Sequence, residues 1–90
     1  MIVFKIHEDE VIFSDLSLED KVNFYCEMIK VACEHKANKD YSKRNKLTHD
    51  ILAALKEIYR FKSDLTENDL DKIKKITLRK KEWEPRLDEE

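Results

Sequence analysis

The amino-acid sequence predicts a mainly α (α+β) fold, a three-helix domain with an N-terminal β-hairpin packed on the first helix. Three observations carry that expectation. The chain has no glycine and one proline, with 42% of its residues charged and 41% hydrophobic, the profile of a short and highly solvated helical protein. Apolar residues recur at the helical period in three segments, and two of these open on a hydroxyl residue followed three positions later by Asp. β-Branched and aromatic runs in extended rhythm cluster near the start of the chain.

Ile2-Val3-Phe4-Lys5-Ile6 and Val11-Ile12-Phe13 read as two short strands joined by a four-residue loop, His7-Glu8-Asp9-Glu10, giving a hairpin over 2–13. Alternation places Ile2, Phe4 and Ile6 on one face. A two-stranded hairpin is marginal alone, so that face is expected to lie on the first helix.

The first helix is expected over 18–36. Ser17 caps its first turn with Asp20 three residues on, and Glu19 and Asp20 set negative charge against the positive end of the helix dipole. At about 100° per residue, an apolar arc runs through Val31, Phe24, Met28, Ala32, Tyr25, Leu18, Ile29, Val22, Cys33 and Cys26, broken only by Lys21 and His35. It covers roughly 220°, twice the stripe of an ordinary surface helix. Such a helix is either central or an interface, and the width predicts self-association through Phe24, Met28 and Val31, a C₂ homodimer being the commonest solution. Asn38 is the expected left-handed residue after it.

A second helix is expected over 43–61, antiparallel to the first. Ala54, Leu47, Ile58, Ile51, Leu55, Tyr59 and Leu52 form its apolar stripe, and Lys46, His49, Asp50, Lys56, Glu57 and Arg60 its solvated side. The third, over 67–83, starts at the Thr66/Asp69 capping pair and buries Leu70, Ile73, Ile76 and Thr77. Residues 76–79 also fit a short strand by period-two alternation. Pro85 ends regular structure. One compact domain over 1–84 with a flexible acidic tail over 85–90 is the expected organisation.

Composition and spacing narrow the function classes. Cys26 and Cys33 lie about 10.5 Å apart on one helix, beyond the roughly 7 Å that a disulfide tolerates, and read as small core residues in a reducing compartment. Cys26, Cys33, His35 and His49 lack the close pairing of a zinc site, so no metal is expected. His49 and Asp50 are neighbours on a polar helix side and do not face each other. With glycine absent, phosphate-cradling loops are absent too. No catalytic residue and no cofactor is expected. No window resembles a membrane span, and residues 1–16 carry acids where a signal peptide carries bases; the expected location is cytoplasmic, with no membrane partner.

The net charge of −2 hides segregation: residues 1–29 hold two Lys against seven acids, residues 30–62 nine Lys or Arg against four, and residues 63–90 seven against nine. Two basic stretches stand out, Lys36, Lys39, Lys43, Arg44 and Lys46, and Lys72, Lys74, Lys75, Arg79, Lys80 and Lys81. They could contact phosphates, with Tyr41 or Trp83 stacking on a base, though on a wheel the cations of the third helix spread around most of the circumference. Leu78 and Trp83 bracket an Arg-Lys-Lys-Glu run, and aromatic and basic side chains together are what protein interfaces enrich, while Trp83 could equally close the core.

The leading expectation is a non-catalytic interaction module that regulates or inhibits a larger protein. The alternative is nucleic-acid binding through residues 36–46 and 72–81, and the third is an oligomer holding a small anionic ligand. In composition the glycine-free, lysine- and acid-rich chain resembles the small accessory proteins of bacteriophages and other mobile elements, which implies a host protein as partner.

Overall fold

A computed structural model describes residues 2–6 and 9–83, with Ile6, Lys80 and Lys81 described as backbone only. The fold is mainly α with a small β element. Strands β1 (Val3–Ile6) and β2 (Asp9–Ile12) precede helices α1 (Leu18–Ala37), α2 (Tyr41–Tyr59), α3 (Glu67–Thr77) and the single-turn α4 (Lys80–Trp83).

The hairpin is tighter than expected. Val3 pairs with Ile12, Phe4 with Val11, Lys5 with Glu10 and Ile6 with Asp9, so Asp9 and Glu10 belong to the strand. The physical reason is register: this pairing sets Lys5 opposite Glu10, a favourable cross-strand pair, and keeps Phe4 inward between Val3 and Lys5. Phe13 leaves the ladder. Its N–H donates to the Ile2 carbonyl at 2.8 Å, the Ile2 N–H donates to Ser14 Oγ at 3.2 Å, and a 3₁₀ turn over Phe13–Asp15 carries the Phe13 ring into the core. There Phe4, Phe13 and Phe24 form one cluster, with ring centroids 5.1, 6.2 and 5.8 Å apart.

Helix α1 begins where its capping signal lies, with Ser17 Oγ accepting from the Asp20 N–H at 3.2 Å, and packs against α2, α3 and α4. It runs one residue past the expected end. Lys39 N–H donates to the Lys36 carbonyl and Asp40 N–H to that of His35, the paired bonds of a Schellman motif. The left-handed residue is therefore Lys39, at φ 59°, and not Asn38, which holds φ −86°.

Helix α2 spans 41–59 instead of 43–61, because Asp40 caps it by accepting from the Lys43 N–H. Its orientation also departs from the expected stripe. Leu47, Ile51, Ala54 and Ile58 are buried as expected, but so are Arg44 and Glu57, while Leu52 and Tyr59 are 56% and 43% exposed. The buried face is turned roughly 50° from the apolar stripe's centre, at about 100° per residue. Lys21 explains the turn. It lies inside the apolar arc of α1, is only 5% exposed, and needs a counter-ion that Glu57 supplies at 3.8 Å. The pair joins the first turn of α1 to the end of α2, as antiparallel helices require.

Thr66 and Asp69 form the expected capping box, each side chain meeting the other's N–H. The expected continuous helix over 67–83 is broken, and no strand forms at 76–79. Leu78 and Arg79 make a turn in which the Arg79 N–H reaches the Ile76 carbonyl, and α4 brings Trp83 back to 3% exposure. The indole Nε1 has no partner among the described residues. The expected acidic tail over 85–90 lies outside the described residues.

One hydroxyl chain ties α1 to the end of α3. Thr77 Oγ1 donates to the Ile73 carbonyl at 2.6 Å, so the 2.8 Å contact between Tyr25 Oη and Thr77 Oγ1 has the phenol as donor. Burial raises the Tyr25 pKa, with a smaller lift from Tyr59 and Cys26, and donating its proton to Thr77 Oγ1 also favours the neutral phenol. The folded pKa exceeds the unfolded one, so this contribution to stability is complete below about pH 10 and is lost as pH rises through the folded value. Urea unfolding at pH 7 and pH 11 is expected to show that loss in the native chain. In Tyr25→Phe it should shrink, at a cost of about 1 kcal/mol at pH 7 for the missing bond.

Candidate functional site

Of the residues expected at a protein interface, only Leu78 stands free. Met28 is 0% and Val31 5% exposed, and Phe24 is half-buried beneath the rings of Phe4 and Phe13. The wide arc of α1 is thus covered within one chain, by the hairpin on one side, α2 on another and α3 with α4 on the third. Its width is no surplus, and the premise for self-association through these residues is corrected. Trp83 closes the core, and Leu78 is 80% exposed.

The expected phosphate contacts are scattered. Arg44 is buried, its guanidinium 4.8 Å from the Tyr41 ring centre and hydrogen-bonded to Asn45 Oδ1. Lys43 pairs with Asp40, and Lys75 with Asp71 at 2.9 Å. Lys46 and Lys74 are exposed; the side chains of Lys80 and Lys81 lie outside the described set. Arg79 Nε donates to Glu82 Oε2 at 2.7 Å. Of the two aromatic candidates for base stacking, Trp83 is enclosed, and the half-buried Tyr41 has the Arg44 guanidinium against its ring.

Two surfaces emerge instead. The first is the outer side of α2, where Leu52, Leu55 and Tyr59 follow one another at i, i+3 and i+7. Leu55 is half-buried and the other two are exposed. Tyr59 continues into an open hollow of about 400 Å³ that Leu70 and Asp71 of α3 line from the opposite side, with Lys62, Glu67 and Lys74 at its edges.

The second surface lies between α1 and α3, a hollow of about 270 Å³ lined by Cys26, Lys30, Lys72, Lys75, Ile76 and Arg79. Lys72, Lys75 and Arg79 repeat at i, i+3 and i+7, so part of the basic stretch that looked dispersed on a wheel shares one helix flank. Lys30 was legible only as an isolated polar residue, and no local signal ties it to α3; the packing of the two helices does.

Both cysteines are free. Burial pushes the thiol pKa of each upward, while Lys72 and Lys30 pull Cys26 down and Arg79 does the same for Cys33. Burial also raises the Asp50 carboxyl against the opposing effects of Lys46 and His49. Among the described residues no three His, Cys, Asp or Glu side chains converge to hold a metal ion, and no helix is long and apolar enough to cross a membrane.

No protein-family model, curated protein or solved structure matches the sequence or the fold.

Proposed function

We propose that the chain is a non-catalytic, cytoplasmic interaction module that regulates a larger protein by occupying part of its surface, as an accessory protein of a mobile element would. The observation that carries this reading is the apolar stripe Leu52, Leu55, Tyr59 on the outer side of α2, left uncovered by the turn of that helix. Anchors at i, i+3 and i+7 are the pattern by which a helix fills a groove on a partner. The nucleic-acid reading has less support, because Trp83 is enclosed, Tyr41 is half-buried with Arg44 against its ring, and the basic side chains it needs are scattered.

The test is a double substitution, Leu52→Glu with Tyr59→Glu, on a face where charge is tolerated by the fold. Circular dichroism is expected to be unchanged. In quantitative affinity purification from the native host, the wild-type chain should enrich a specific protein that the variant loses by tenfold or more. Equal recovery by both chains would reject the reading. A sedimenting dimer that the same pair of substitutions splits would show instead that the stripe joins two copies.

A further inference from the structure

We infer that the hollow between α1 and α3 is a second binding site, for an acidic peptide segment that presents one aliphatic side chain between its carboxylates. The site is independent of the α2 stripe. Among the described residues four cations and no carboxylate line it, and its floor is apolar, made by Cys26 at 8% exposure and the half-buried Ile76. The charge is only partly compensated. Lys75 is held by Asp71 and Arg79 by Glu82, whereas Lys72 Nζ donates to the neutral Asn23 Oδ1 at 2.7 Å, and Lys30 has no carboxylate partner among the described residues. Neither ammonium group is matched by a carboxylate among the described residues, and both line the hollow together with Cys26.

Composition decides the occupant. At about 270 Å³ the hollow lies at the lower edge of the roughly 300–1,000 Å³ of sites that enclose whole small molecules, and it has room for one anchoring side chain. A bare inorganic anion would use the rim and leave the floor unfilled. A nucleic-acid strand would satisfy the cations, but among the described residues no aromatic ring lines the hollow for a base to stack on. An acidic segment with an aliphatic anchor uses both features: its carboxylates form charge-assisted bonds with Lys30 and Lys72, and its side chain covers Cys26 and Ile76.

The experiment is a titration of the ¹⁵N-labelled full chain with the blocked pentapeptide Asp-Glu-Leu-Asp-Glu. Its alanine-centred counterpart, inorganic phosphate and a ten-residue oligothymidylate serve as comparisons. Amide shifts are expected at Cys26, Lys30, Lys72 and Ile76, with binding at least tenfold weaker for the alanine peptide, as loss of one buried leucine side chain implies. Lys30→Glu with Lys72→Glu should weaken binding by more than tenfold while the spectrum stays dispersed; Lys30→Gln with Lys72→Gln replaces it if the charge reversal disturbs folding. The Leu52→Glu/Tyr59→Glu chain should bind the peptide as the native chain does, even if the reading of the α2 stripe fails. Equal affinity for both peptides, or the same shifts with phosphate, would reduce the site to a simple anion contact and overturn the inference. Tighter binding of the oligonucleotide, or no shift at millimolar peptide, would overturn it as well.

Discussion

Met28→Asp is expected to leave the chain unfolded at 25 °C. Met28 is fully enclosed on the helix that every other helix touches, and removing its side chain alone costs about 2–5 kcal/mol. The aspartate adds a charge within the hydrophobic core cluster, worth several kcal/mol more where it stays unpaired. A 90-residue chain at roughly 0.05–0.15 kcal/mol per residue has about 5–13 kcal/mol in all, so most or all of the stability goes. Leu78→Asp, the same change at an 80% exposed position, should move the melting point little, within about 0.5 kcal/mol. Far-ultraviolet circular dichroism and amide dispersion distinguish the outcomes. A folded, soluble Met28→Asp monomer would show that this face of α1 looks outward in solution and would restore it as an interface.

The contrast between those two positions shows what the sequence could convey. Ser17 and Thr66 announce their helices because a cap is a local device, read within four residues. The apolar arc of α1 was equally legible, but not what covers it. Phe13 looked like the end of a strand, and only the 3₁₀ turn that takes it off the ladder lets Phe4 and Phe13 close over Phe24 of α1. Trp83 required the break at Leu78 and Arg79, which no glycine or proline marks. The candidate surfaces were harder still. Leu52 and Tyr59 belong to the apolar stripe by composition and to the outside by tertiary placement. Lys30 gains its meaning from Lys72, 42 positions later, through helix packing that periodicity in one segment cannot express.

Glu57→Ala is expected to destabilise the chain by about 3–5 kcal/mol, because it strands the Lys21 ammonium in the interior. The side chains of Lys21 and Glu57 are 7% and 6% exposed. Arg60 reaches Glu57 Oε1 at 3.0 Å from the solvent side, and Lys21 also lies 4.6 Å from the centre of the Phe61 ring. At about 4–8 °C per kcal/mol for a domain of this size, the melting point should fall by more than about 12 °C. The double variant Lys21→Met/Glu57→Leu removes both charges and should recover to within about 1 kcal/mol of the native chain, or exceed it, so that a double-mutant cycle shows strong coupling. Its second consequence concerns position. If this ion pair holds α2 in its rotated setting, the double variant is free to turn Leu52 and Tyr59 inward, and solvent paramagnetic relaxation at the Tyr59 ring should fall although stability is restored. A Glu57→Ala cost below about 1 kcal/mol, or an unchanged Tyr59 environment in the double variant, would show that something other than the pair sets the helix, and that the exposed stripe owes nothing to it.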